Sequence, residues 1–233
     1  MNIASVITAT IMTTTAFAQP SVTLMPKLAE YVKQRASEFE QLDGARREIL
    51  ERVASYVVQQ TEAGKSVRLT FICTHNSRRS HLGQVWARIA AEQHGIKVET
   101  YSGGTETTAF NPRAVATLTR AGATIDKTTE DDNPVYHVRY SDNRPPITCF
   151  SKVHNQSPNP KREHAAIMVC DEADQACPIV EGATVRIALP YVDPKKSDGT
   201  PAEAATYDER CAQIAREMMF VFDSAARQLK RPQ

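Results

Sequence analysis

The sequence predicts an α/β protein, a parallel β-sheet covered by helices on both faces. Three observations lead there. The run Val67 to Cys73 is rich in β-branched and aromatic residues, and it passes directly into a polar loop and a helical pattern through Val85, Trp86, Ile89 and Ala90. Further strand-like runs follow at Val98 to Tyr101, Ala166 to Cys170 and Val185 to Leu189. Helix-like stretches separate them, and strands alternating with helices pair in parallel through right-handed crossovers. In such sheets the ligand sits beyond the carboxyl ends of the strands, where Cys73 and Cys170 fall.

In chain order, residues 1–24 come first. The first eighteen carry no charged side chain and end in Ala16-Phe17-Ala18, the small-x-small pattern that precedes a signal-peptidase cut. The region has no Lys or Arg, and its apolar stretch is interrupted by Thr8 and Thr10, so a tail ahead of a start at Met25 is the alternative. The location is accordingly periplasmic in the first case and cytoplasmic in the second. Residues 25–64 read as a helical extension: Leu28, Tyr31, Val32, Ala36 and Phe39 recur at helical spacing, then Ile49, Leu50, Val53, Val57 and Val58 after Asp43-Gly44. A hairpin packed on the main domain explains them, since the charged face reads as solvated surface.

The main domain takes residues 65–230. Its second strand ends in Ser102-Gly103-Gly104-Thr105, and Asn111-Pro112 opens a helix with Pro112 in the first turn. A stretch of about 131–163, rich in Pro, Asn and charge, reads as an insertion before the third strand, with a short hairpin around Val135 to Tyr140. A helix from Pro201 to Leu229 closes the chain.

Composition narrows the function. With 28 Lys+Arg against 27 Asp+Glu the net charge is +1, so no global field favours nucleic acid or an acidic membrane surface, and any anion chemistry is local. No segment is suited to span a membrane. Five cysteines are too few for a secreted disulfide scaffold and suit a protein that uses thiols chemically.

Cys73-Thr74-His75-Asn76-Ser77-Arg78-Arg79-Ser80 stands where a strand ends and a helix begins. The helix amino terminus offers unpaired N–H groups and the positive end of a dipole, a ready cradle for a dianion. Arg79 lies six residues after Cys73, placed to grip two oxygens in a bidentate fork. A thiol in that cradle ionises readily, and Ser80 is placed to donate a hydrogen bond to its sulfur. A Cys-x5-Arg spacing alone is weak; at a strand-to-helix junction it is specific.

This loop, the Ser102 to Thr105 turn and the late Asp193-Pro194 together resemble the low-molecular-weight protein tyrosine phosphatase superfamily, over roughly Val67 to Leu229. Within it, the segment Val169-Cys170-Asp171-Glu172-Ala173-Asp174-Gln175-Ala176-Cys177-Pro178 resembles the thioredoxin-coupled arsenate reductases. The resemblance implies a flavodoxin-like three-layer sandwich with a four-stranded parallel sheet. It implies Cys73 as nucleophile, Arg79 as clamp, Asp193 as general acid, and residues Thr74 to Ser80 as the oxyanion loop. It further implies a relay in which Cys170 attacks the Cys73 adduct and Cys177 resolves the disulfide, a thioredoxin-like reductant closing the cycle. Without the resemblance, Cys170 and Cys177 are two unrelated thiols, and Asp193-Pro194 is an ordinary turn. Arsenate reduction is the first expectation and phosphomonoester hydrolysis the alternative, with a small oxyanion or phosphomonoester as substrate and no cofactor.

Some positions depart from both branches. Arg78 stands where cysteine is usual and His75 where a small residue is usual. Gln84 replaces the acidic residue of potassium-binding reductases, and Lys195, not an aromatic residue, follows Asp193-Pro194, leaving Tyr191 as a substitute. His81, His94, His137, His154 and His164 have no metal-binding spacing and read as surface or structural. Asp198 reads as a plain turn residue, Cys211 as helix packing, and Cys149, inside the insertion, as unassigned and open to being a reactive thiol.

Overall fold

A computed structural model describes residues 22–230. The proposed signal or tail segment therefore lies outside the described residues up to residue 21. In chain order come helices α1 (Pro26–Ala36) and α2 (Gly44–Glu62), strand β1 (Arg68–Cys73), α3 (Arg79–Gln93), β2 (Glu99–Gly104) and α4 (Pro112–Ala121). Then follow β3 (Thr124–Lys127), β4 (Tyr136–Arg139), β5 (Ile147–Cys149), β6 (His164–Met168), α5 (Asp171–Ala176), β7 (Ala183–Ala188) and α6 (Glu203–Leu229).

The central sheet is four-stranded and fully parallel, in the order β2-β1-β6-β7. Numbered among themselves these strands run 2-1-3-4, the flavodoxin-like order, whose switch point lies beside β1. On β1, Leu69, Phe71 and Cys73 alternate with Thr70 and Ile72, and all five are buried, so both faces of the strand are covered. Helix α3 closes against β1 because Gly83 has no side chain: a Cβ there would meet Phe71 Cδ1 at 2.5 Å. The α/β reading and the four strands hold, with one adjustment. The third strand ends at Met168, so Cys170 lies beyond it as the N-cap of α5.

Asp43 caps α2 by accepting from Arg46 N–H at 2.8 Å, and Leu28, Leu50, Val53 and Val57 are fully buried in the main core. The two helices of the extension thus pack into the core of the main domain. Arg46 lies over the Tyr191 ring at 4.7 Å and donates to both carboxylate oxygens of Glu217 on α6, at 3.0 and 2.8 Å.

The insertion differs more from its expected form. In place of one hairpin it makes a three-stranded antiparallel sheet, β3-β4-β5, whose first strand begins at Thr124. Thr-Ile-Asp-Lys is too short and too polar to announce itself as a strand, and it forms because β4 supplies its hydrogen bonds. After β5 the chain runs beside the end of β2: Gly104 N–H donates to Lys152 O and His154 N–H to Gly104 O, both at 2.9 Å. Thus the insertion is built onto the sheet edge next to the Cys73 loop.

Candidate functional site

The loop following β1 is folded by its own polar side chains. Asn76 takes a left-handed backbone, φ 44°, and is fully buried. Its Nδ2 donates to Ser80 Oγ at 2.9 Å, and Ser80 Oγ lies 3.1 Å from Cys73 Sγ. A hydroxyl that already accepts from Asn76 has its proton available for the sulfur. Lys152 N–H fixes the amide by donating to Asn76 Oδ1 at 2.9 Å. On the other side, Ser77 Oγ donates to Ala109 O and Asn111 N–H to Ser77 O. Gly104 has to be glycine here, since a Cβ would stand 2.6 Å from Thr74 O and 2.8 Å from Asn76 N. The Ser-Gly-Gly-Thr run read from the sequence therefore exists to let the loop close against β2.

Arg79 begins α3 and is buried. Its Nη1 donates to Tyr191 O at 2.9 Å and its Nη2 to Asp193 Oδ2 at 2.8 Å, while Glu172 of α5 stands at 4.0 Å. The arginine and the aspartate read separately from the sequence are thus in direct contact. Asp193 also caps a 3-10 turn over Pro194–Ser197 by accepting from Lys195 N–H at 3.0 Å. Asp193 therefore makes the turn and meets Arg79 at once.

Two loop side chains are engaged elsewhere. His75 is exposed and pairs with Glu106 at 2.8 Å. Arg78 donates to Tyr207 OH at 2.8 Å, and Asp198 lies 3.7 Å from its Nη2 while accepting from the same tyrosine. Asp198, read as a plain turn, therefore helps tie the loop to α6. The cue was the departure itself, an arginine inside the loop that needed an acceptor.

Cys170 is fully buried beside the loop, its Sγ 3.5 Å from Thr74 Oγ1 and accepting from Ala173 N–H at 3.4 Å. Burial raises its thiol pKa, and Arg79 opposes that shift. Cys177 is half-buried at the other end of α5, where Arg186 of β7 donates to its carbonyl at 2.9 Å and to Asp174 O at 2.6 Å. Cys149 is fully buried and its thiol is pushed up to about 12 by burial, which removes it as a reactive thiol. Cys211 accepts from Trp86 Nε1–H at 3.2 Å inside the core, as packing requires.

Gln84 uses its amide to join β2 and β5, donating to Thr100 O at 3.3 Å and Thr148 O at 3.5 Å. His81 is fully buried, its ring tilted against Phe110 at 4.2 Å, with Nδ1 3.1 Å from Ser102 Oγ. No group of three or more His, Cys, Asp or Glu side chains among the described residues is placed to hold a metal ion. Nor is any described helix long and apolar enough to cross a membrane.

Residues 68–133 match the family model of the low molecular weight phosphotyrosine protein phosphatases. An arsenate reductase of Bacillus licheniformis is 28% identical over 140 residues, covering 60% of this chain and 83% of the relative. Another, from Bacillus subtilis, is 25% identical over the same length and coverage. Arsenate reductase 2 of Staphylococcus saprophyticus is 30% identical over 112 residues, covering 47% of this chain and 65% of the relative. Among solved structures, a low molecular weight phosphotyrosine phosphatase of Vibrio cholerae O395 covers 70% of this chain and 99% of its own, at 12% identity and a TM-score of 0.47. Over residues 68–133 the chain is thus similar to the low molecular weight phosphotyrosine protein phosphatases, and over a longer stretch to arsenate reductases.

Proposed function

We propose that the chain is an arsenate reductase, with Cys73 as nucleophile, Arg79 as clamp, Asp193 as acid, and Cys170 and Cys177 as a thiol relay. The observation that carries this reading is the setting of Cys170. It lies against the loop through Thr74, close enough for Arg79 and Cys73 to influence its charge, and it opens the short helix that ends at Cys177. A phosphatase has no use for that arrangement.

Arsenate binds the loop N–H groups at the start of α3 and competes with Asp193 for the Arg79 fork. The Cys73 thiolate attacks arsenic, and an arsenic-bound oxygen leaves as water with a proton from Asp193. Cys170 then attacks the Cys73 sulfur: the S–S bond forms, the As–S bond breaks, and its electron pair passes to arsenic, which departs as arsenite. Attack by Cys177 on Cys170 frees the Cys73 thiolate and leaves a Cys170–Cys177 disulfide for an external dithiol such as a thioredoxin-like protein. As caps of one helix, the two cysteines are about 10 Å apart along its axis, whereas a disulfide needs Cα atoms within about 7 Å. So α5 unwinds, and Arg186 must release its carbonyls.

Phosphomonoester hydrolysis is the second reading. The full burial of Cys170, which disfavours its thiolate, is the observation on its side. One experiment separates them: one equivalent of arsenate is added to fully reduced protein without reductant. Reduction yields one arsenite and a Cys170–Cys177 disulfide by peptide mapping, and Cys177→Ser traps Cys73–Cys170 instead. Absence of arsenite together with ordinary hydrolysis of an aryl phosphate would replace the reductase by the phosphatase.

A further inference from the structure

Lys152 is buried, 4% exposed, on the segment that joins β5 to the sheet edge. Its ammonium makes no ion pair among the described residues. It donates to Phe150 O at 3.1 Å and stands 4.4 Å from the Phe150 ring centre. Holding a cation out of water without a carboxylate is costly, and a cation kept so needs a use or a transient partner.

The groups around it supply no negative charge. From β5, Cys149 is held as a neutral thiol by burial. From α3, His81 is held neutral by burial and then by the charge of Lys152 itself. The loop presents Asn76, with Cys73 two hydrogen bonds farther on, and β2 presents Ser102, which faces His81. The backbone of the same residue is bound into the loop, its N–H to Asn76 Oδ1 and its carbonyl to Gly104 N–H.

We propose that Lys152 is a positioning residue for the Cys73 loop, its backbone fixing Asn76 and its ammonium providing, from behind, positive charge that a bound dianion neutralises. This rests on the reading of the loop as an oxyanion site. A consequence follows for pH. Burial lowers Lys152 to about 8, so in the empty loop its charge begins to be lost just above neutrality. A bound dianion favours the protonated form, so the lysine binds its proton more tightly in the complex. By linkage, oxyanion affinity is highest below pH 8 and falls as pH rises through it.

The test uses the full chain carrying Cys73→Ser, which removes the thiol's own titration, and inorganic sulfate, a dianion throughout pH 7–10. Calorimetry on this parent should show affinity falling roughly tenfold across that range. Adding Lys152→Met should weaken binding roughly tenfold at pH 7 and abolish the pH dependence. Adding Lys152→Arg should hold affinity level to pH 10, and this variant decides the matter alone if the methionine protein does not fold. A merely structural lysine would leave the pH dependence in place in either variant, and that result overturns the proposal. If the parent binds neither sulfate nor phosphate at pH 7, the oxyanion reading itself fails and the proposal with it. That outcome is distinct from a parent that binds while Lys152 variants are indifferent.

Discussion

At the scale of single residues, the chemistry of the loop hangs on where one hydroxyl proton points. Ser80 Oγ accepts from Asn76 and stands 3.1 Å from Cys73 Sγ, placed to donate its proton to the sulfur. Ser80→Ala removes that hydroxyl and should therefore slow alkylation of Cys73 by iodoacetamide at pH 7 about tenfold, the loss of one hydrogen bond to the sulfur. The measurement is the rate at Cys73 by peptide mapping, with buried Cys211 as internal reference. An unchanged rate would show that loop N–H groups alone stabilise the thiolate. That Cys73, Asn76, Arg79 and Ser80 meet in one loop was legible in the sequence because their contacts depend on spacing along one short segment. Lys152, far along the chain in an insertion, was not, because its role depends on which segment returns to the sheet edge.

At the scale of elements, the amino-terminal extension proves to hold the loop after β7. Arg46 of α2 binds Glu217 of α6 through both carboxylate oxygens and donates to Pro190 O at 3.1 Å, and Tyr191 OH donates to Glu217 at 2.7 Å. Tyr191 in turn offers its carbonyl to Arg79. With Glu217 1% exposed, removing its cation leaves a buried charge without its partner. Arg46→Met should cost about 3–5 kcal/mol in urea unfolding, whereas Arg46→Met with Glu217→Leu should recover most of it. If the single and double variants lose equally, packing of α2 and not the ion pair holds the loop. The helical pattern of residues 25–64 announced two helices. It did not announce that Arg46 faces inward, since an arginine on an amphipathic helix is read as solvated unless a buried carboxylate is known to meet it.

For the whole molecule, the buried and half-buried histidines set the response to acid. Burial lowers the pKa of His81, His94, His154 and His164 below the usual 6.5. Below pH 6.5 the unfolded chain therefore binds more protons than the folded one, and stability present above that pH is lost as pH falls through the lowered values. Melting temperature should be level from pH 8 to 7 and decline from about pH 6.5 downward, well before the carboxylates titrate. His81→Phe, which keeps an aromatic ring beside Phe110, should flatten part of that decline. A curve flat to pH 5 would contradict it.

The sequence by itself determined the parallel α/β architecture, the placement of Cys73 to Ser80 between a strand and a helix and the glycines of the second strand, because each rests on local pattern: alternation of strand and helix, a strand-to-helix junction, and close backbone approach. Tertiary structure alone decided that Arg79 meets Asp193, that Asp198 secures Arg78, and that the insertion forms a sheet whose exit segment seals the loop. It also decided that Cys149 is inert while Cys170 touches the loop. These outcomes depend on burial and on contacts between residues far apart in the chain, and neither desolvation nor long-range pairing leaves a periodic trace in sequence.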